Sequence, residues 1–220
     1  FSTGDLGSGN IVDVGDFDGG GLDNDFMTRE SYTIYMYTSD DGISFSQNWS
    51  HAVDPGVYDA INVGDLGGDG IDDVATTSNP SGYLYVYSGI NGSAIYIADT
   101  SSGHLESIVV LDFDHDGMGE VLAVTQCGNP RWGFVWNGTW NAAYTTSDAV
   151  FYASHGGSAY DSHSMDADGD GYVDNWLSVS SSSLRVFDSD NSTLWTRSTG
   201  LNYIYNICLL YTSPSPRDRT

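Results

Sequence analysis

The sequence predicts an all-β protein built from about four similar units. An acidic loop motif occurs four times along the 220 residues, and its copies begin at residues 16, 65, 112 and 166. Short runs of β-branched and aromatic residues with a period of two surround the copies, which is typical of half-buried strands. No stretch shows the sustained periodicity of an amphipathic helix. The copies are 47 to 54 residues apart, so one unit contains about 50 residues.

Each unit contains four candidate strands at similar distances from its loop. One short run precedes the loop, a second follows it, and a third comes next, as in Tyr83-Leu84-Tyr85-Val86-Tyr87. A turn such as 88–92 then leads to a fourth run such as 94–97. The first three runs lie at 11–14, 26–27 and 32–37; 60–63, 74–75 and 83–87; 108–110, 121–124 and 134–136; and 162–165, 176–179 and 184–187. Four strands in about 50 residues match one β-propeller blade, so the sequence predicts four blades of antiparallel strands.

The fourth loop shows the chemistry of the motif most fully. Counted from its first aspartate, it has aspartates at positions 1, 3, 5 and 9, and Gly171 at position 6 permits a sharp bend. Carboxylates this close repel one another unless a cation lies among them. Ca²⁺ takes six to eight oxygen ligands in flexible geometry, and alternate spacing lets three side chains turn inward together. The bend aims the carbonyl of position 7 at the same point, so the loop predicts a Ca²⁺ site.

The same positions supply the predicted ligands in all four loops. The fourth loop would use Asp166, Asp168, Asp170, the carbonyl of Tyr172 and Asp174. The third has Glu at position 9 and would use Asp112, Asp114, Asp116, the carbonyl of Met118 and Glu120. The second lacks the side chain at position 3 and would use Asp65, Asp69, the carbonyl of Ile71 and Asp73. The first loop has no acid at position 5 and would use Asp16, Asp18 and the carbonyl of Leu22. Its closing ligand would be Asn24 or, in a loop one residue longer, Asp25.

The segment from Gly64 to Gly89 carries a more specific pattern. An acidic loop, a strand and then Leu-Tyr-Val-Tyr-Ser-Gly resemble the FG-GAP/VCBS repeat family. The resemblance implies blades of seven- or eight-bladed propellers, as in the integrin α-subunit head, with Ca²⁺ held by positions 1, 3, 5, 7 and 9. A ring of that size needs about twice this chain, so an open arc of about four blades is expected. Because one fold hosts many functions, the resemblance indicates a fold and a metal rather than an activity.

Composition agrees with metal loops and excludes two classes of partner. The chain has 30 acidic and six basic residues, for a formal net charge of −24, and only three of the acids are Glu. Asp favours turns and metal loops, whereas Glu favours helix faces. Nucleic acids and anionic membranes need basic patches, so neither is expected as a partner. No apolar run approaches the roughly 20 residues of a membrane span.

These observations lead to a functional expectation and one alternative. We expect a non-catalytic, calcium-stabilised propeller segment over residues 1–207, with up to four Ca²⁺, outside the cell or at its surface. It would act in cell adhesion or in binding an extracellular protein or carbohydrate; its oligomeric state is left open. The alternative is the propeller part of a secreted polysaccharide-acting enzyme. Residues 208–220 resemble a translated sequencing adapter and are expected to be a non-native tail.

Two further predictions concern individual side chains. The five histidines show no spacing typical of a catalytic or metal motif, and His115, at position 4 of the third loop, is expected to point to solvent. The tyrosines of the third strands are expected to pack between blades rather than to form a sugar platform.

Overall fold

A computed structural model gives the architecture of most of the chain. The structure describes residues 12–30, 33–52, 60–78, 82–99, 105–125, 132–136, 143–145, 151–154, 159–180, 182–190, 192–201 and 204. All regular elements in these ranges are β-strands, which confirms the predicted all-β class. The expected tail at 208–220 lies outside the described residues.

The strands form four sheets, one for each predicted unit. The first sheet contains β1 (Val12–Gly15), β2 (Asp25–Glu30), β3 (Thr33–Thr38) and β4 (Ser46–Ala52). The second contains β5 (Ile61–Gly64), β6 (Asp73–Ser78), β7 (Tyr83–Tyr87) and β8 (Ala94–Asp99). The third contains β9 (Leu105–Leu111), β10 (Glu120–Thr125), β11 (Trp132–Trp136) and β13 (Phe151–Ser154). The fourth contains β14 (Ala159–Met165), β15 (Asn175–Ser180), β16 (Ser183–Phe187) and β17 (Thr193–Ser198).

One strand departs from the predicted pattern of four antiparallel strands in every blade. β12 (Ala143–Thr145) follows β11 in the chain, yet it pairs in parallel with β8, at the outer edge of the second sheet. The third blade therefore reaches back to its neighbour before β13 completes its own sheet. This excursion explains why the third and fourth loops begin 54 residues apart, farther than the other pairs.

The blades stack face to face in sequence order and form an open arc. The first strands β1, β5, β9 and β14 contact one another in succession. Between the first two sheets, Met36 and Trp49 pack against Val74 and Tyr87. Two further clusters fill the other joints, one around Leu84, Leu105 and Val121, the other around Leu122, Trp176 and Phe187. Because alternate strand residues point to opposite faces, each inner sheet contributes to two of these layers. Of the third-strand tyrosines, Tyr87 is buried in such a layer and Tyr85 packs against it, as predicted for these strands.

A tryptophan of the first blade makes a specific contact with the second. The indole Nε1 of Trp49, on the fourth strand of blade 1, donates to the carbonyl of Gly89 in blade 2 at 2.6 Å. Its ring lies against Gly92, where an added Cβ would come within 2.6 Å of the ring, so only glycine fits. Trp195 occupies the matching register on β17, opposite Val186 as Trp49 is opposite Met36. It is 45% exposed against 9% for Trp49, because no described turn covers it.

Candidate metal centres

All four acidic loops share one backbone scaffold. The glycine at position 6 donates its N–H to Oδ2 of the aspartate at position 1, over 2.6 Å for Gly21, 2.8 Å for Gly70, 3.0 Å for Gly117 and 3.2 Å for Gly171. Each of these glycines has a positive φ, between 75° and 98°. An L side chain is strained in that region, which is why the motif needs glycine there. The position 1 carboxylate thus closes a tight turn through local hydrogen bonds.

The carboxylates at position 5 stabilise the following part of the turn in the same way. Asp116 Oδ1 accepts the N–H of Met118 at 2.8 Å, and Asp170 Oδ1 accepts that of Tyr172 at 2.9 Å. Asp69 holds Ile71 in the same way at 3.0 Å. Each bond joins position 5 to position 7. The loops therefore hold their acidic side chains close together even though like charges repel.

The first loop brings three carboxylates into one cluster and resolves its open alternative. One oxygen from each of Asp16, Asp18 and Asp25 lies within 4.8 Å of the others. Asp25 is fully buried, and its two oxygens accept the N–H groups of Phe17 at 2.9 Å and Ser39 at 2.8 Å. The Asn24 amide instead donates to the Ser39 carbonyl at 2.5 Å. Asp25, in the loop one residue longer, is therefore the residue that closes the cluster.

Leu22 occupies the predicted carbonyl position of the first loop. Its carbonyl accepts the N–H of Asn24 at 2.7 Å, while its side chain is 63% exposed. Gly20 stands at position 5, so this loop offers no carboxylate there.

The third loop forms a similar cluster. Oxygens of Asp112, Asp114 and Glu120 lie within 4.8 Å of one another. Glu120 is almost fully buried and accepts the N–H of Phe113 at 2.6 Å. Burial, reinforced by the charges of the neighbouring aspartates, raises the pKa of Glu120 to about 7. A cation bound at this carboxylate would have to compete with that proton.

The second loop has the same closing arrangement with one side chain missing. Asp73 accepts the N–H of Gly89 at 3.1 Å, and burial, with the charges of Asp69 and Asp65, raises its pKa to about 7. Gly67 stands at position 3. A Cβ placed on Gly67 would lie 3.5 Å from Asp73 Oδ2, so a side chain there would point into the acidic group. The predicted gap at position 3 is thus a gap in the site itself.

The fourth loop is built differently from the other three. Oxygens of Asp166, Asp168 and Asp170 lie within 4.8 Å of one another, but all three residues are exposed. The residue that accepts the N–H of Ala167, at 2.6 Å, is Asn175. Asp174, the predicted closing ligand, lies with Oδ2 3.1 Å from His115 Nε2 of the third loop. Its Oδ1 is buried without a hydrogen-bond partner in the described part of the chain.

The closing residues share a signal that position counting overlooks. Each is the first residue of the strand that leaves the loop, directly before an apolar residue: Asp25 before Phe26, Asp73 before Val74, Glu120 before Val121 and Asn175 before Trp176. Counting back from the buried apolar residue of the strand finds all four. Counting forward from the first aspartate finds only those of the second and third loops.

His115 is exposed, as predicted for position 4, but it also contacts the next loop. Its ring stacks on Tyr172 of the next loop, with centroids 3.8 Å apart and planes 13° from parallel. It also bonds Asp174, and the side chain retains 34% exposure. His115 has φ +61°, the same left-handed conformation that Gly19, Gly68 and Gly169 adopt at position 4 of the other loops.

The donor sets of the first and third loops fit a hard cation of calcium's size. Ca²⁺ binds oxygen at about 2.3–2.6 Å, so two ligands on opposite sides stand about 4.6–5.2 Å apart. The clustered oxygens lie within 4.8 Å of one another, so no two of them are too far apart to share one such ion. Burial also raises the pKa of Asp25, with the charges of Asp18 and Asp16 adding to the effect. A divalent ion among such carboxylates would replace their repulsion by attraction.

Comparison with known proteins supports the fold and goes no further. No family model and no curated protein sequence matches the chain. The structure of "BBS1N in complex with ARL6DN, soaked with lead" is similar, with a TM-score of 0.62 and 6% identity over 89% of this chain and 56% of that one. BamB from Moraxella catarrhalis is similar with a TM-score of 0.54 and 15% identity over 90% and 54%. The chain thus spans a little over half the length of each.

These similarities define the chain as an arc of a β-propeller. At such low identity they carry no activity, and membership of the FG-GAP/VCBS family stays a prediction. Within the ranges that the structure describes, no helix has the length and apolar character needed to cross a membrane.

Proposed function

We propose that this protein is a calcium-stabilised propeller scaffold that acts outside the cell, in adhesion or in binding an extracellular ligand. The observation that carries the proposal is the convergence of Asp16, Asp18 and the fully buried Asp25 within 4.8 Å. A buried carboxylate beside two others is unfavourable unless a cation compensates for it. Because such a site does not exist in the unfolded chain, binding energy at the loops becomes folding energy.

The exposure of the loops supports the proposed location outside the cell. Half-exposed sites with few protein ligands bind Ca²⁺ weakly, in the range of about 10⁻⁴–10⁻³ M that is typical of extracellular modules. The expected ligand, a protein or a carbohydrate, and the alternative of an enzyme's propeller part remain predictions. Loops at one end of a rigid propeller are the usual place for such binding.

Thermal unfolding with and without a chelator tests the proposal. A Ca²⁺ concentration 100 times the dissociation constant adds about 2.7 kcal/mol at one site, so the melting temperature should rise clearly with Ca²⁺ and much less with Mg²⁺. Asp16→Asn should remove a large part of this response. Asp40→Asn, an equal charge change at an exposed residue outside the loops, is the matched control and should retain it. Identical melting in chelator and in Ca²⁺ would contradict the proposal.

A further inference from the structure

Backbone hydrogen bonds join the first loop to the second and the second to the third. Asp72, at position 8 of the second loop, donates its N–H to the carbonyl of Asp16 at 2.8 Å. Gly119, at position 8 of the third loop, donates to the carbonyl of Asp65 at 2.6 Å. In both joints the acceptor is the aspartate at position 1 of the preceding loop. That same residue supplies the first predicted metal ligand through its side chain.

Side chains repeat the connection at all three joints. The residue at position 7 of each loop lies over position 4 of the preceding one. Ile71 lies over Gly19 and Met118 over Gly68, where an added Cβ would meet them at 3.3 Å and 2.6 Å. Tyr172 stacks on His115 at 3.8 Å. Position 7 also supplies the predicted carbonyl ligand. The same residue therefore serves its own site through its carbonyl and contacts the preceding loop through its side chain.

From this arrangement we infer that neighbouring cation loops are energetically coupled, and that His115 carries the coupling between the third and fourth loops. The inference rests on the proposed function, since it concerns the same calcium sites. A cation bound in one loop fixes the residue at position 7 of that loop. That residue contacts position 4 of the preceding loop and keeps it in its folded turn. The preceding loop has less disorder left to lose when its own cation arrives, so its affinity is higher.

The third joint offers a clean point of intervention. His115 is no predicted ligand, yet it contacts both Tyr172 and Asp174 of the fourth loop. Its φ of +61° is one that glycine adopts freely, and glycine stands at position 4 of the other three loops. His115→Gly therefore removes the contacts while leaving every predicted ligand and the backbone turn in place.

Hydrogen exchange followed by mass spectrometry, at increasing Ca²⁺ concentration, tests the coupling loop by loop. Four proteins are compared: the unaltered chain, H115G, D166N/D168N, and the triple variant. Inactivating the fourth loop should raise the Ca²⁺ midpoint for protection of residues 112–120 about fivefold more when His115 is present than in the H115G background. The charge removed from the fourth loop is the same in both backgrounds, so its direct effect cancels in this cycle.

The outcomes separate the inference from the proposal beneath it. Protection of no loop by Ca²⁺ would overturn the proposed function. Protection with an equal midpoint shift in both backgrounds, or with no shift, would leave the function standing and overturn the coupling through His115. The first loop, residues 16–25, is the internal control; it touches neither variant site and lies farthest from the fourth loop along the series, so its midpoint should move least.

Discussion

The sequence makes the fourth loop the more complete cation site and the first the weaker one, and the structure shows the opposite. By sequence the fourth is complete, with aspartates at positions 1, 3, 5 and 9, while the first lacks an acid at position 5 and has its closing acid one place late. In the structure, the first loop closes on the fully buried Asp25. The fourth exposes its three clustered acids and places the neutral Asn175 where Asp25 stands in the first.

The difference teaches that strand register, and not the motif, decides which acid closes a loop. The closing residue begins the outgoing strand, and its neighbour must face the interior between blades. Trp176 is fully buried, and its burial places Asn175 against the N–H of Ala167 and turns Asp174 toward the adjoining blade. A strand residue cannot change face without moving every apolar side chain that follows it.

The largest expected effect comes from removing the closing residue of the first loop. Asp25→Ala leaves two buried N–H groups, those of Phe17 and Ser39, without acceptors and should lower the free energy of unfolding by about 3 kcal/mol. Urea unfolding in a chelator measures this loss without any contribution from metal. Asn175→Ala at the fourth loop should cost less. Asn175 is itself buried, but the N–H groups that donate to it belong to the exposed residues Ala167 and Asp168, which water can reach. Equal losses would remove the distinction between the two loops.

The pH dependence of the metal-free protein should follow the buried closing acids. The pKa values of Asp73 and Glu120 are near 7, whereas unfolded Asp and Glu titrate near 4, so the folded state binds more protons than the unfolded one. Stability in chelator should therefore fall by about 2 kcal/mol or more as the pH rises from 5 to 8. Saturating Ca²⁺ should abolish the trend, because the cation replaces the protons. Denaturant midpoints across this range give the measurement.

Giving the fourth loop a closing acid should make its Ca²⁺ affinity more like that of the first loop. Asn175→Asp adds a carboxylate, and we expect about tenfold tighter Ca²⁺ binding at residues 166–174, equivalent to about 1.4 kcal/mol. The Asn175 amide now donates to Asp188 Oδ1 at 3.2 Å, so a single substitution introduces a repulsion there. The N175D/D188N double variant removes it and is the appropriate comparison. The measurement is a calcium titration monitored by hydrogen exchange of this loop. An unchanged Ca²⁺ affinity in the double variant would mean that register does not decide the closing ligand.

The smallest effect is expected at the acid that the motif favours. Asp174→Asn should change the Ca²⁺ affinity of the fourth loop less than threefold, because Oδ2 of Asp174 bonds His115 in the structure. Asp168→Asn, within the acidic cluster, is the matched substitution and should weaken binding more. If Asp174→Asn instead abolished binding, Asp174 would be the closing ligand that its position predicts, and the comparison between the loops would fail.

Much of the architecture could be read from residue order. The period-2 runs located the first three strands of each unit, including β14, whose predicted core at 162–165 is polar. The position 6 glycines marked the turns, since a positive φ such as that of Gly171 or Gly21 strongly favours glycine. β12 could not be foreseen, because its three residues pair with a strand of the preceding blade rather than with a local neighbour.

The sequence by itself determined the repeat, the strands, the turns and the gathering of acids in four loops, because all of these depend on contacts within about ten residues. Only the tertiary structure decided which acids meet. The choice of Asp25 over Asn24 depends on Phe17 and Ser39, which the folding of the first sheet brings to the end of the loop. The contacts of His115 with Asp174 and Tyr172 depend on how one blade packs against another. No local pattern encodes these contacts.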